Sequence, residues 1–375
     1  MSLRIGQVIC GKRANYQVME PLKSPTVFKA KILPGSDINK EFTVTKTAIG
    51  DLERAALRRE YNNYQVHAFA SNRYIRTMYE AIGSIESSNL DTPSHLVFEY
   101  MDTIVREVPS DKFRGTNLPR NLSKSILLAL EVMRSQRKVH TDVNINNVLI
   151  SDLDGDSPVV KLGDLGMVMQ DGFDEQRLQS LPSRAPEVWQ GHGCFHSSDV
   201  WSVGVMLAQW VSWRNVFGAK DKIIEGYPEA YCIAKLMALI GPLGAPTNRY
   251  APDFELAEQL LSMDFGPEFG KVIKVGGLRD ELRSVANPPV PTELVDFIIY
   301  LLTADPDRRP SACDALRHPK LAVTEVIVCT CRDVLSQTSN IATSFEDRWE
   351  NVYLEVVYGR DVRRAETASR AMLLT

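Results

Sequence analysis

The chain has 375 residues, of which 44% are hydrophobic and 24% charged, and a formal net charge of −4 at pH 7. No low-complexity block or short repeat is present, which argues against a disordered or solenoid protein, and a chain of this length usually divides into more than one lobe. Six cysteines are scattered without a Cys-x-x-Cys pair, which argues against a disulfide framework and a zinc site.

The most apolar runs lie at residues 203–211 and 297–302 and are far shorter than a membrane span. The first residues lack the long apolar core of a signal peptide. We therefore expect an intracellular protein, cytoplasmic or nuclear, that binds neither membrane nor nucleic acid. Residues 1–60 hold 11 Lys and Arg against 6 Asp and Glu, a balance that suits a phosphate ligand but is also typical of solvated surface.

Residues 6–13 nearly match the phosphate-binding pattern G-x-x-x-x-G-K-[ST]. Arg13, however, stands where that motif has a metal-binding hydroxyl, and only five residues precede the motif, which leaves little room for the required strand. We do not expect a phosphate loop here.

From Tyr16 to Ala48 the residues favour strands. Residues 27–32 and 42–46 flank the turn-forming cluster 34–37, so they predict a hairpin with Lys46 inside its second strand.

A helix is expected over residues 51–70, because Leu57, Tyr61, Tyr64 and Ala68 repeat at the spacing of one helix face. Glu60 falls on the same face. A buried carboxylate needs a cation, and Lys46 is the candidate.

Strands are expected at residues 75–82 and 96–100, after which the pattern becomes mainly helical from Leu122 onward. We therefore predict an N-terminal lobe of residues 1–102, with its boundary near 99–103, and a second lobe of residues 103–322. The remaining residues, 323–375, form an extension. Its apolar stretches at 321–328 and 345–358 predict a tail that packs on this chain or on a partner.

The stretch 139–150 is a polar turn that leads into an apolar strand. It places Asp142 five positions before Asn147, which can set a proton acceptor beside a metal ligand, as phosphoryl transfer to a hydroxyl requires. Taken alone, the same pattern is equally typical of a solvated turn. The segments that follow decide between the two.

Two short strands are expected at residues 148–150 and 159–162. They are followed in order by Asp164-Leu165-Gly166, by Ala185-Pro186-Glu187 and by an apolar helix that opens with Asp199. With Lys46 and His140-Thr141-Asp142, this set resembles a eukaryotic-type protein kinase across residues 16–320. The resemblance implies an α+β fold of two lobes, a small β-rich lobe with one main helix and a larger helical lobe. It also implies that Arg309 pairs with Glu187.

The resemblance implies a role for each matching residue. Asp142 would accept or orient the proton of a substrate hydroxyl, and Asn147 and Asp164 would hold Mg²⁺ against the phosphates of ATP. Lys46, oriented by Glu60, would hold the α- and β-phosphates. The nucleotide pocket would consist of Lys23, Val27, Lys46, Phe98 at its back, the backbone groups of Glu99 and Met101, and Leu149.

Two departures from the kinase pattern concern activity. Residues 21–28, in the place of a glycine-rich loop, contain no glycine and two prolines, so close backbone approach to phosphate is harder; Lys23 would supply charge instead. Asn144 stands where kinases have a lysine that contacts the transferred phosphate. Loss of one such donor typically lowers the rate by about 10²–10³-fold, although an amide still donates a hydrogen bond.

Thr141 replaces the arginine that would receive an activation-loop phosphate. Because residues 165–184 offer only Ser180 and Ser183 as hydroxyl groups, we expect activity without prior phosphorylation. Residues 183–187 and the long stretch 217–289 resemble the group of cyclin-dependent and serine/arginine-rich protein kinases. Thr141 favours the second branch, and with it a basic or arginine/serine-rich protein substrate.

The sequence therefore predicts a serine/threonine protein kinase that uses ATP and Mg²⁺. Two alternatives remain. A pseudokinase would bind nucleotide or a partner without turnover, and Lys23 and Asn144 are the positions that discriminate it. A small-molecule phosphotransferase would share the 140–147 pattern, but Glu187 and Arg309 argue against it because they build the peptide-substrate side of protein kinases. The sequence does not indicate the oligomeric state.

Overall fold

The structure, a computed structural model, describes residues 3–84, 93–214, 216–267 and 270–321. These residues belong to two compact units. The first contains residues up to 58 together with 80–84 and 93–97, and the second contains residues 59–79 and those from 98 onward. The predicted end points of the lobes stay predictions, and the predicted packed extension, residues 323–375, lies outside the described residues. Within the described ranges, no helix is both long and apolar enough to cross a membrane.

A six-stranded sheet dominates the first unit, with the order β1-β2-β3-β4-β6-β5. Its strands are β1 (Val8–Cys10), β2 (Asn15–Lys23), β3 (Val27–Ile32), β4 (Phe42–Thr47), β5 (Met78–Ser84) and β6 (Pro93–Glu99). Strands β3 and β4 pair antiparallel, which confirms the predicted hairpin, and Lys46 lies inside β4.

Glu80 of β5 binds the turn between β1 and β2. Its carboxylate accepts hydrogen bonds from the backbone N–H of Lys12 at 2.8 Å and of Arg13 at 3.3 Å, and from the hydroxyl of Tyr16 at 2.5 Å. A side chain on Gly11 would collide with this carboxylate at 2.3 Å. The amides of the near-match to a phosphate loop are thus occupied by a carboxylate of the same chain. Burial and the bond to Glu80 raise the pKa of Tyr16.

The prediction of one continuous helix over residues 51–70 is wrong. Helix α1 (Asp51–Tyr64) ends before Val66, whose extended backbone (φ −71°, ψ 111°) interrupts the hydrogen bonding, and α2 (His67–Ala70) follows as a single turn. The predicted packed face is present in part: Leu57, Glu60 and Tyr64 are buried, whereas Tyr61 and Ala68 are half-buried. The expected strand at 75–82 begins later, at Met78, and Ile75 instead forms an isolated parallel bridge to Leu162.

Helices dominate the second unit. They are α3 (Ser110–Phe113), α4 (Leu118–Ser135), α5 (Pro186–Gln190), α6 (His196–Ser212), α7 (Pro228–Ile240), α8 (Ala251–Ser262), α9 (Leu278–Arg283), α10 (Thr292–Leu301) and α11 (Ala312–Leu316). Helix α6 is the centre of the core: it packs on α4 and α10, and α7 packs on α8. Gly204 permits the close approach of α6 to the end of α10, since a Cβ there would lie 3.1 Å from that of Leu301.

Short strands complete the second unit: β7 (Thr103–Ile104), β8 (Lys138–Val139), β9 (Val148–Ser151), β10 (Val159–Leu162) and β11 (Met169–Gln170). Strands β9 and β10 form the predicted antiparallel hairpin, and β8 pairs with β11. These pairings hold residues 140–147 and 163–168 side by side. The combination of a strand-rich and a helical part gives the predicted α+β class.

Candidate active site

The loop between β8 and β9 is anchored by Asp199 of helix α6. The Asp199 carboxylate accepts the backbone N–H of His140 at 2.6 Å and of Thr141 at 2.9 Å. Asp199 is 1% exposed, and burial raises its pKa from 3.8 to about 7, while the two N–H donors act in the opposite direction. Thr141 takes a left-handed backbone conformation (φ 63°), which these bonds and its hydroxyl bond to the Met167 carbonyl (2.7 Å) hold in place.

Two amides fix the carboxylate of Asp142. Asn144 Nδ2 donates to Asp142 Oδ1 at 2.8 Å, and Asn147 Nδ2 donates to Asp142 Oδ2 at 2.7 Å. Both amides also donate to the Asp142 backbone carbonyl. The structure therefore brings together three candidate residues from the sequence, Asp142, Asn144 and Asn147. With its nitrogen turned to Asp142, the Asn147 amide has Oδ1 as the atom that can ligate a cation.

Asp164 is held beside this loop. Gly163 donates its N–H to the Asn147 carbonyl at 2.8 Å, and the Gly163 carbonyl accepts from His140 Nε2 at 3.0 Å. Because His140 Nδ1 accepts the N–H of Asp142, the proton of the imidazole lies on Nε2. Asp164 itself is left-handed (φ 60°) and its carboxylate accepts the Gly166 N–H at 3.3 Å.

The oxygen donors of Asn147 and Asp164 are of the kind that Mg²⁺ prefers. The described residues contain no group of three or more His, Cys, Asp and Glu that could hold a metal. A sparse donor set fits Mg²⁺, which proteins commonly bind through one or two side chains together with substrate phosphates.

The C-terminal half of α1 is tied to the Asp164 segment. Arg59 Nε donates to the Gly166 carbonyl at 3.1 Å, and Asn63 Nδ2 donates to the Leu165 carbonyl at 2.7 Å. Glu60 lies between these two residues in the sequence and is 3% exposed. It belongs to the second unit and Lys46 to the first, so the proposed Lys46–Glu60 pair stays a prediction.

In the first unit, three predicted nucleotide residues form one row across the sheet. Lys23 of β2 lies opposite Val27 of β3, and Val27 lies opposite Lys46 of β4. Directly opposite residues project from the same face of a sheet, so two cations flank one apolar side chain. The turn between β2 and β3 is closed by a hydrogen bond from the Thr26 N–H to the Lys23 carbonyl at 2.9 Å.

The predicted base-binding residues of the second unit are Phe98, Glu99, Met101 and Leu149. Phe98 is fully buried against the ring of Tyr64, with 5.6 Å between centroids. The Glu99 side chain pairs with Lys161 at 2.6 Å. Its backbone is also engaged, since the N–H donates to the Thr77 carbonyl and the carbonyl accepts from Arg76 Nε, both at 2.9 Å.

Leu149 and Met101 line the same part of the unit. A Cβ on Gly163 would lie 2.6 Å from Leu149 Cδ1, so a larger residue there would require the Leu149 side chain to shift. Met101 is 6% exposed, with its sulfur 3.7 Å from the Ser151 hydroxyl.

Glu187 and Arg309 form the predicted ion pair. Arg309 Nη1 and Nη2 lie 2.7 and 2.8 Å from the two Glu187 oxygens, and both side chains are at most 2% exposed. Ser198 donates its hydroxyl to the same carboxylate at 2.6 Å.

A sequence model described as the protein kinase domain matches residues 36–321, more than half of the chain. The chain belongs to the protein kinase family. The matched region begins after residues 21–28, where the kinase pattern has its glycine-rich loop and this chain has none. Assignment to the cyclin-dependent or serine/arginine-rich kinase group goes beyond this match.

Hydrogen bonds between its own residues hold the activation segment of this kinase, residues 165–184. Arg184 Nε donates to the Leu178 carbonyl at 2.8 Å and its Nη2 to the Gln179 carbonyl at 3.0 Å. Gln179 is left-handed (φ 66°) and its side chain bonds to Ala185 and to Ser202 at 2.9 and 2.8 Å. Ser183 is buried at 2% exposure, whereas Ser180 is exposed.

Two residues of the kinase site were missed by the sequence reasoning. Asp199 was noted only as the start of a helix, because a carboxylate in the first turn is ordinarily explained by the helix dipole. Arg76 was not considered. Its signal is a charge inside the strand-like run Ile75-Arg76-Thr77-Met78-Tyr79, next to Ile75, which is fully buried.

Proposed function

We propose that this kinase transfers the γ-phosphate of ATP to a serine or threonine hydroxyl of a protein, with Mg²⁺ as cofactor. The observation that carries the proposal is the Asp142 carboxylate, which the amides of Asn144 and Asn147 hold in one orientation. A fixed acceptor needs no reorganisation when the substrate hydroxyl arrives, which is the main protein contribution to phosphoryl transfer.

The chemistry follows from these positions. Asp142 accepts the hydroxyl proton as the hydroxyl oxygen bonds to the γ-phosphorus, while the bond from that phosphorus to the bridging oxygen of ADP breaks. Mg²⁺, when bound by Asn147 and Asp164, neutralises phosphate charge. Lys46 and Lys23, in one row of the sheet, supply further positive charge to the nucleotide.

A pseudokinase is the second candidate, and the identity of residue 144 favours it. Asn144 stands in the position of a catalytic lysine and has no positive charge with which to contact the transferred phosphate. Residues 21–28 also favour a pseudokinase, because they contain two prolines and no glycine where the kinase pattern has its glycine-rich loop. A small-molecule phosphotransferase ranks third, because the Glu187–Arg309 pair supports the peptide-binding side of a protein kinase.

We further propose that activity does not depend on phosphorylation of the activation segment. Thr141 bonds to Met167 and Arg184 bonds to the Leu178 and Gln179 carbonyls, so the segment is supported without a phosphate. Thr141 also supports the serine/arginine-rich kinase branch, with a basic or arginine/serine-rich protein substrate and a cytoplasmic or nuclear location.

The decisive experiment is Mg²⁺-dependent transfer of labelled phosphate from ATP to a basic serine peptide. We expect transfer by the natural chain and a loss of at least about 10²-fold in Asp142→Asn, since the amide cannot take the hydroxyl proton. Asp152→Asn is the matched control, because Asp152 is an exposed aspartate outside the loop. Equal transfer by the natural chain and Asp142→Asn would favour the pseudokinase.

A further inference from the structure

Arg76 extends along the base-binding end of the second unit. Its Cδ lies 3.7 Å from the position of a Cβ on Gly163, and its guanidinium carbon lies 5.3 Å from the centroid of the Phe98 ring. Its Nε donates to the Glu99 carbonyl at 2.9 Å. The side chain thus connects the residue before Asp164 with two residues that we assign to the nucleobase.

Most N–H donors of the Arg76 guanidinium have no acceptor within the described protein. Arginine carries five N–H groups, and in the part of the chain that the structure describes only the Nε–H of Arg76 has an acceptor. The residue is 8% exposed. Nη1 and Nη2 are not fully enclosed by protein, so their four N–H groups are accessible to an acceptor that a ligand or water supplies.

The guanidinium of Arg76 stays charged despite its burial. Burial lowers the pKa of Arg76, but Glu60, Glu99 and Asp164 are close enough to raise it, and an arginine side chain keeps its proton in proteins. The Arg76 guanidinium can therefore only donate hydrogen bonds, whereas the adjacent Glu99 carbonyl can only accept them.

We propose that Arg76 determines nucleobase specificity and lets this kinase accept guanine as well as adenine. The inference rests on the proposed nucleotide site. At its sixth ring position adenine carries an amino donor, which needs an acceptor such as the Glu99 carbonyl. Guanine carries a carbonyl oxygen there, which a carbonyl alone repels but which the free N–H groups of Arg76 can bind. A site that offers both the Glu99 carbonyl and the Arg76 N–H groups can bind the sixth position of either purine. GTP therefore competes with ATP.

Calorimetric titration of the full chain with ATP and with GTP, both with Mg²⁺, tests this assignment. For the natural chain we expect the two Kd values to agree within about tenfold. Arg76→Met keeps a side chain of similar length without donors and should weaken GTP at least about tenfold, the effect of losing a hydrogen bond to a charged group. ATP should change less than about threefold. Arg73→Met, on an exposed arginine three residues away, is the matched control.

Thermal unfolding of each variant first establishes that it is folded, and Arg76→Lys provides a second variant that keeps the charge. We expect Arg76→Lys to retain part of the GTP affinity. A natural chain that prefers ATP by more than about 10²-fold, or equal weakening of both nucleotides in Arg76→Met, would overturn the role of Arg76 while nucleotide binding stands. Absence of binding by either nucleotide would instead overturn the proposed function, and this inference with it.

Discussion

The Glu187–Arg309 pair gives the most direct test of how the second unit is held together. Five hydrogen bonds leave the Arg309 guanidinium: two go to Glu187, and the others go to the carbonyls of Thr303, Ala304 and Ser197 at 2.8–3.0 Å. Every N–H group is therefore used. Removal of one partner leaves a charge in a site that is at most 2% exposed.

Arg309→Met should lower the free energy of unfolding by about 3–5 kcal/mol, the typical cost of an uncompensated buried charge. Glu187→Met should have a similar effect. The double variant should be less destabilised than the sum of the two by at least about 1–3 kcal/mol, because the second substitution removes the stranded charge. Urea unfolding measures all three free energies.

Arg279→Met provides the control, because the Arg279–Asp296 pair is 42% and 49% exposed. It should change the free energy of unfolding by less than about 0.5 kcal/mol. Strict additivity of the two buried substitutions, or a loss below about 1 kcal/mol in Arg309→Met, would refute the reasoning that the pair acts as one buried unit.

Two further predictions concern pH and phosphorylation. Because the folded-state pKa of Asp199 is raised from 3.8 to about 7, its contribution to stability is fully present below about pH 4 and is lost as pH rises through about 7. Unfolding of the natural chain and Asp199→Asn at pH 5 and pH 8 should show the natural chain losing more stability between the two, by about 3 kcal/mol; parallel pH curves would contradict this. Ser180→Ala and Ser180→Asp should both keep peptide phosphorylation within about twofold of the natural rate, since Arg184 already bonds to the carbonyls of the activation segment. A steep rise in rate on phosphorylation of Ser180 would contradict it.

The local sequence pattern predicted the hairpins and the helix face, because residues that are near in sequence determine them. The hairpins β3–β4 and β9–β10 follow from apolar runs separated by turn formers, and the buried face of α1 follows from helical spacing. The end of α1 at Tyr64 was not predictable in this way, because no glycine or proline stands there; the structure offers no local reason beyond the extended backbone of Val66.

Long-range contacts explain most of what the sequence could not reveal. Lys46, Asp142 and Asp164 were predicted because motif spacing specifies them. Asp199 anchors Thr141, which lies 58 positions away, and Arg76 bonds to Glu99, which lies 23 positions away. Hydrophobic periodicity describes neighbouring residues and cannot predict contacts over such separations. The Glu187–Arg309 pair, 122 positions apart, was predicted only through the family resemblance, and the structure confirms it.

The carboxylate of Glu80 has a consequence for the whole sheet of the first unit. Strands β1 and β5 are the two outermost strands in its order, yet Glu80 of β5 bonds to the turn that follows β1. The sheet must therefore curve enough to bring the turn after β1 next to β5. Outermost strands with free N–H and C=O groups are where unrelated chains join to form aggregates. The Glu80 carboxylate fixes this curvature by binding the amides of Lys12 and Arg13.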